Sequence, residues 1–228
     1  VIVPPPTYLP AVAALCKKHN VLLICDEIQT GLGRTGKMLA INHAGIRPDI
    51  MLLGKALSGG VYPVSAVLAD KDVMLCIQPG EHGSTYGGEN PLACAVAITA
   101  LDVLVEEDLS TRAARLDEVF RLSVRLSPYI ENVRGLGLLN TVVIDEDTCN
   151  AARAARGQDV VGNKRRTAWQ FCLLLKARGV LAKNVSVSVS VHFAPPLVIE
   201  EADLVKAVKI IGECLVDLER LDEIPGDD

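Results

Sequence analysis

The sequence has 228 residues, half of them apolar and only 4% aromatic, with 23 Lys and Arg against 28 Asp and Glu for a net charge of −5. This length and apolar content suffice for one large core or two modest ones and exclude a disordered chain, while a mildly acidic chain without a basic run excludes nucleic acid or an anionic membrane as its main partner. No apolar stretch reaches the roughly 20 residues of a membrane span, and seven scattered cysteines without CxxC or metal-ligand spacing read as reduced thiols in a reducing intracellular compartment. The opening Val1-Ile2-Val3-Pro4-Pro5-Pro6, with no Met start and no targeting pattern, reads as a chain cut open upstream.

The first hundred residues alternate helix and strand. Leu9 to Asn20 has helical spacing, with its charge at the C-terminal end where the helix dipole favours a cation. Val21 to Cys25 is a continuous apolar run, the pattern of a parallel strand buried on both faces. Ile50 to Leu53 is a second strand and Val64 to Leu68 a third. Pro91 suits a first helical turn and opens a helix through Val105. These elements predict an α/β domain with a mostly parallel sheet.

From about residue 110 the texture changes. Ser110 to Leu126 is a charged amphipathic helix, broken by Val133-Arg134-Gly135-Leu136-Gly137, and Leu138 to Ile144 reads as a strand. Asn150 to Arg166 is polar and basic and predicts an exposed loop. Ala168 to Arg178 is a helix closed by Gly179, with Trp169 and Phe171 packing inward. Val185 to Val191 alternates Val and Ser, the period of a strand with one buried face, and Ala202 to Leu221 is a final amphipathic helix. This half predicts a small α+β domain. The acidic run Glu106-Glu107-Asp108 reads as a solvated helix end, and His19 and His43 as surface residues.

Several residues could carry chemistry. A literal GxGxxG runs from Gly31 to Gly36, but Asp26 to Thr30 separate it from the strand and Gly45 and Pro48 interrupt any following helix, so it reads as a tight glycine loop rather than a dinucleotide site. The strand ends say more. In open α/β sheets, ligands bind beyond the carboxyl ends of parallel strands. One strand ends in Asp26-Glu27 and the next in Gly54-Lys55, so an acid and a lysine reach the same edge. A structural salt bridge is the plain alternative for such a pair. Lys55, however, lies among Gly54, Ala56, Leu57, Ser58, Gly59 and Gly60, a small apolar setting that would desolvate an amine and favour Schiff-base chemistry. An acid able to pair with a pyridine nitrogen completes the minimum for pyridoxal phosphate. Ser84 and Thr85, flanked by Gly83, Gly87 and Gly88, could hold a phosphate. His82 reads as shaping that loop, and Cys25 as an inert thiol rather than a nucleophile.

These segments resemble a known family. Leu23-Ile24-Cys25-Asp26-Glu27-Ile28-Gln29-Thr30-Gly31-Leu32-Gly33-Arg34-Thr35-Gly36 is similar to the cofactor-aspartate segment of class III (subgroup II) pyridoxal-phosphate aminotransferases, and Pro48 through Gly60 to their Schiff-base segment. Within the class, Tyr62 to Val67, His82 to Gly88 and Phe193-Ala194-Pro195-Pro196-Leu197 look most like the ornithine-specific branch. The resemblance implies an aspartate-aminotransferase-like (fold type I) subunit. Residues 1–109 would be the later part of its large cofactor domain and 110–228 its small C-terminal domain. It implies that Lys55 bonds the cofactor and shuttles a proton, that Asp26 keeps the pyridine nitrogen protonated, and that Gln29 bonds the phenolic oxygen. Ser84 and Thr85 would reach the phosphate across a homodimer interface. The implied reaction moves the δ-amino group of L-ornithine to 2-oxoglutarate, in the mitochondrial matrix or cytoplasm. Acetylornithine or 4-aminobutyrate as donor is the alternative, and so is an inactive piece with a structural or binding role.

Four departures accompany the resemblance. The chain corresponds to the C-terminal half of such a subunit, which would leave a strand face uncovered. His192 stands where the family has an arginine for the substrate carboxylate, and histidine cannot make arginine's bidentate contact. Glu89 is an extra residue before Asn90-Pro91, and the Val-Ser repeat replaces a more varied segment.

Overall fold

The computed structural model, which describes residues 1–83, 90–157, 164–185 and 189–219, divides into two units: Pro4–Ala114, and Val1–Val3 together with Arg115–Asp228. The sequence places its domain boundary between residues 109 and 110; the division falls between Ala114 and Arg115, inside a helix.

In the first unit, helix α1 (Tyr8–Lys18) ends on Lys17 and Lys18, cations at the negative end of its dipole. Strands β1 (Ile24–Asp26), β2 (Ile50–Leu53) and β3 (Ala66–Ala69) form one sheet in that order. β1 runs parallel to β2, with Ile24 opposite Ile50 and Asp26 opposite Leu52, while β3 returns antiparallel. Asp49 closes the start of the parallel pair: its carboxylate accepts from Leu23 N at 2.7 Å, and its own N–H donates to Leu23 O at 2.9 Å. A 3₁₀ turn (Ala40–His43) precedes β2 and another (Lys55–Ser58) follows it. After the short α2 (Lys71–Met74), α3 (Pro91–Glu106) starts where Pro91 predicts, capped by Asn90, whose side-chain oxygen accepts from Leu92 N and Ala93 N.

The expectation that Val21 to Cys25 is buried on both faces is corrected. The strand begins only at Ile24, and Val21, Leu22 and Ile24 are 57%, 52% and 55% exposed. β1 is the edge strand among the described residues, so it has one neighbour in the sheet, and its Ile24 side chain stays exposed. An apolar run reports that a strand is suited to burial; the layers that bury it must come from elsewhere.

The second unit is built on α4 (Leu109–Val124), β4 (Ile130–Leu136), β5 (Leu139–Ile144), α5 (Glu146–Ala155), α6 (Lys164–Ala177), β6 (Lys183–Asn184), β7 (Ser190–Phe193) and α7 (Glu201–Asp217). Its sheet is antiparallel throughout, in the order β4-β5-β7-β6. Leu116, Val133, Leu138, Val142, Ile144, Phe171, Leu175, Val191, Leu204, Ile211, Leu215 and Leu218 are fully buried, and each such side chain contributes about 1.5–3 kcal/mol. Phe120 and Phe193 meet with ring centroids 5.6 Å apart in a tilted pair.

Three further readings change here. Asn150–Arg166 is not a loop throughout: α5 extends to Ala155, capped by the Asp145 carboxylate, which accepts from Thr148 N, and α6 begins at Lys164. Its polarity misled because Arg153 is buried, donating through Nε to Leu218 O at 2.7 Å and through Nη2 to Gln170 Oε1. Residues 133–136 do not break structure but continue β4. Trp169 points outward at 37% exposure, whereas Phe171 is wholly buried. The Val-Ser repeat lies partly outside the described residues, and the strand that follows it is Ser190–Phe193.

A buried polar knot fixes the β4–β5 turn on α4. Asp117 pairs with Arg121 at 2.6 Å and accepts from Asn140 Nδ2 at 3.1 Å, and Asn140 also donates to Gly137 O. Arg121 donates in turn to Gly135 O. Burial pushes the Asp117 carboxyl above its ordinary value, against the opposing effect of Asn140 and Arg121. A Cβ at Gly135 would lie 2.2 Å from Leu139 O and 2.4 Å from Asn140 Oδ1, so no side chain fits there. Gly135→Ala should therefore cost about 3 kcal/mol, read as a lower denaturant midpoint; an unchanged midpoint would show that the turn can relax.

Candidate active site

Register decides what reaches the sheet edge. Because β1 and β2 are parallel and Asp26 pairs with Leu52, both chains leave the sheet at the same end, and Lys55 lies three residues past Leu52. The acid and the lysine singled out from the sequence thus stand on adjacent parallel strands at one carboxyl edge. The Asp26 carboxylate accepts from Ile28 N at 3.0 Å, which orients it. Gly54 lets the two strand ends approach, since a Cβ there would lie 3.3 Å from the Ile28 side chain. Lys55 follows with φ +42°, a left-handed conformation that costs a lysine about 1–2 kcal/mol. Strain of that kind persists where surrounding structure imposes it, and it clusters at functional residues.

The expected desolvation of Lys55 is corrected. Its side chain is exposed, although Leu57 and Ser58 beside it are buried. Small neighbours leave room around an amine; they cover it only when another layer lies above. Lys55 instead opens onto a cavity of about 880 Å³, walled also by Ser58, Tyr62 and Ser65. That volume falls within the usual range of small-molecule and cofactor pockets.

Tyr62 is a site residue that sequence reasoning did not single out. Its hydroxyl accepts from Asn90 Nδ2 at 3.1 Å, which ties the cavity wall to the cap of α3. The Tyr62-Pro63 pair next to a Gly-Gly turn was the available signal. Gln29 is exposed, four turn residues or fewer from both Asp26 and the buried Gly31. Ser84 and Thr85 lie outside the described residues. The GxGxxG segment forms a loop leading into the 3₁₀ turn at Ala40, with no long helix behind it, as its interruptions predict.

His192 belongs to the other unit. It lies in β7 opposite Thr141 of β5, which lies opposite Arg134 of β4, so the three share one face of that sheet. His192 is half-buried, Arg134 exposed and Thr141 buried; the Thr141 hydroxyl accepts from the Val1 amino group at 3.2 Å.

The residues present suit pyridoxal phosphate by their chemistry: a carboxylate for a pyridinium N–H and an amide for a phenolic oxygen at the end of one strand, and beyond the next a primary amine for an aldehyde, which lines a cavity. The comparisons with known proteins agree. The model of the class-III aminotransferases matches residues 1–215. The chain belongs to the class-III aminotransferase family. An ornithine aminotransferase from Schizosaccharomyces pombe is 51% identical over 227 residues, covering 99% of this chain and 48% of that relative. A crystal structure of the ornithine aminotransferase from Toxoplasma gondii is similar with a TM-score of 0.82 and 44% identity, over 95% of this chain and 48% of that one. A second structure of that enzyme has pyridoxal phosphate at partial occupancy in its active site. An acetylornithine aminotransferase from Elizabethkingia anophelis is also similar, with a TM-score of 0.81 and 48% identity over 94% of this chain and 50% of that one. The chain spans about half the length of these relatives.

Among the seven cysteines of this class-III aminotransferase chain, all are free thiols. Burial, and secondarily Glu27, raises the pKa of Cys25, which keeps it protonated beside Asp26. Burial pushes Cys149 and Cys172 up to about 11 from an ordinary 9.0. At pH 8 a thiol near 11 carries about a hundredth of the thiolate of an ordinary one. Alkylation at pH 8 should therefore label the exposed Cys76 and Cys94 at least ~100-fold faster than Cys149 and Cys172, as peptide mass mapping would measure. Equal rates at all four would contradict this burial.

Proposed function

We propose that this chain carries the lysine and aspartate of a pyridoxal-phosphate-dependent transaminase that moves the δ-amino group of L-ornithine to 2-oxoglutarate, giving glutamate 5-semialdehyde and glutamate. The observation that carries this reading is the placement of Asp26 and Lys55 at one edge of the parallel β1–β2 pair, with Lys55 lining a cavity of cofactor size. Residues 1–109 then serve as the later part of the large cofactor domain and 110–228 as the small C-terminal domain. The active protein is a homodimer with shared sites, in the mitochondrial matrix or cytoplasm. Seven free thiols support a reducing compartment, and among the described residues no helix is long and apolar enough to cross a membrane.

Pyridoxal phosphate, when bound, supplies an electron sink that stabilises negative charge on the carbon losing its proton. The chain's own residues do the rest. Asp26 would accept a hydrogen bond from the pyridine nitrogen and so favour the ring form that draws electrons. Gln29 donates to the phenolic oxygen. Lys55 Nζ would hold the group through its aldehyde and, when free, would carry a proton between the carbon bearing the reacting amino group and C4′. Ser84 and Thr85 hold the phosphate from the neighbouring subunit. His192 is the group offered to a substrate carboxylate, a contact in which it lacks the fork of an arginine.

The exposed Val21, Leu22 and Ile24 favour a second reading, in which these residues taken alone are a non-catalytic piece with a structural or binding role. Native mass and absorbance separate the two. Lys55→Ala should abolish the visible cofactor band and lower turnover at least ~10³-fold; a band that survives would remove Lys55 from its role, and a wild-type protein that never takes up the cofactor would favour the second reading. Steady-state comparison of donors should give ornithine the highest kcat/KM, with acetylornithine and 4-aminobutyrate ~10-fold or more below it. Equal or better turnover of 4-aminobutyrate would overturn the ornithine assignment.

A further inference from the structure

We propose that Glu27 is the positioning residue of this site: its buried carboxylate staples the loop from Ile28 to Leu39 shut and so aims Asp26 and Gln29 at the cofactor. The proposal rests on the pyridoxal-phosphate reading above and names a residue that touches neither cofactor nor substrate.

Neighbouring residues at the end of β1 have opposite environments. Asp26 is exposed at the site edge, while Glu27 is only 3% exposed. Its N–H donates to Leu52 O at 3.0 Å, adding the next bond beyond β1 itself. A carboxylate with that little exposure must have its oxygens satisfied, and it does. Oε1 accepts from Ile41 N at 2.7 Å, and Oε2 accepts from Thr30 Oγ1 at 2.7 Å and Ala40 N at 3.0 Å. Ala40 and Ile41 open the 3₁₀ turn, whose preceding residue, Leu39, has no polar side chain for their N–H groups. Glu27 supplies that acceptor from thirteen residues away. One side chain therefore holds both ends of the loop.

The loop it closes is the one that orients the site. Its first residue, Ile28, donates to the Asp26 carboxylate, and Gln29 follows. Gly31 N donates to Glu27 O at 2.9 Å to close the turn, and a Cβ at Gly31 would sit 2.9 Å from that same oxygen, so the turn presses directly on Glu27. If Glu27 loses its grip, Ile28 and Gln29 are freed together, and Asp26 loses the N–H that fixes it.

The charge of Glu27, and not only its size, is required. Ile41 N and Ala40 N are both donors without an alternative role, one facing each carboxylate oxygen. A glutamine has a single acceptor oxygen. In either orientation its NH₂ group meets one of those backbone N–H groups, donor against donor. Glu27→Gln is therefore a nearly isosteric change that must open one end of the staple. Thr30→Val is the milder change, removing one of the three bonds.

The test compares wild type, Glu27→Gln, Thr30→Val, Asp26→Asn and the Asp26→Asn/Glu27→Gln pair. Pyridoxal phosphate affinity is measured by absorbance titration, alongside the pH midpoint of the visible band and the Tm. If Glu27 positions Asp26, Glu27→Gln weakens cofactor binding about 10-fold and moves the midpoint in the same direction as Asp26→Asn. The double variant then changes little beyond Asp26→Asn alone, because both act through one carboxylate. Thr30→Val gives a smaller shift in the same sense and decides the matter should Glu27→Gln fail to fold. The proposal is overturned if the Glu27 and Thr30 variants lower Tm while affinity and midpoint stay at wild-type values, or if the double variant shows the full sum of the single effects. A wild-type protein that binds no pyridoxal phosphate would instead sink the functional reading itself, which the variants do not touch.

Discussion

The parallel pairing of β1 with β2, in the register that sets Asp26 opposite Leu52, is the constraint on which the site depends. A parallel pair sends both chains out of the sheet at one end, so a carboxylate and an amine distant in sequence arrive together without any contact between them being needed. Register is as important as direction. Side chains alternate along a strand, and a slip of one residue would bury Asp26 and expose Glu27. Asp49 guards against that slip at the far end, where its side chain and backbone both bond to Leu23. Glu27 guards the near end through its N–H to Leu52 and its carboxylate on the returning loop.

The two units are stabilised unequally. From Arg115 onward, an antiparallel sheet and four helices enclose a dense apolar core, and the charges inside are answered: Asp117 by Arg121 and Asn140, Arg153 by a carbonyl and an amide oxygen. In Pro4–Ala114 the core is small. α1 buries no residue, and α3 buries Ala93, Ala97 and Leu104 while Leu92, Ile98 and Val105 stay exposed. Val21, Leu22 and Ile24 are likewise exposed apolar side chains in this unit.

What the sequence made legible follows from which signals are local. Asp26 and Lys55 could be placed because apolar runs locate strands and a parallel connection fixes their common edge. Pro91 gave the start of α3 for the same kind of reason, a rule about one residue and its neighbours. The misreadings involve partners and layers that a local pattern does not name. Arg153 looked like loop chemistry because its acceptors, Leu218 and Gln170, lie far along the chain. Residues 133–136 looked like a helix breaker because the Gly135 backbone is accommodated by the facing hairpin strand. The burial expected for Lys55 and for Val21 to Cys25 failed because composition measures suitability for a core, and only a second layer makes one.

Chemistry and specificity also separate along this line. On the proposed function, Asp26, Gln29 and Lys55 serve the cofactor, and any donor amine would find the same three groups. Structures of an ornithine and an acetylornithine enzyme resemble this chain almost equally, at TM-scores of 0.82 and 0.81. Selection among donors must come from groups that read the far end of the substrate, where ornithine carries a charged α-amino and carboxylate pair. In the second unit, histidine at position 192 presents a single ring N–H where a guanidinium would present a fork, and Arg134 stands two strands away on the same face. The exchange at position 192 leaves untouched the strand-end geometry that brings Asp26 and Lys55 to one edge.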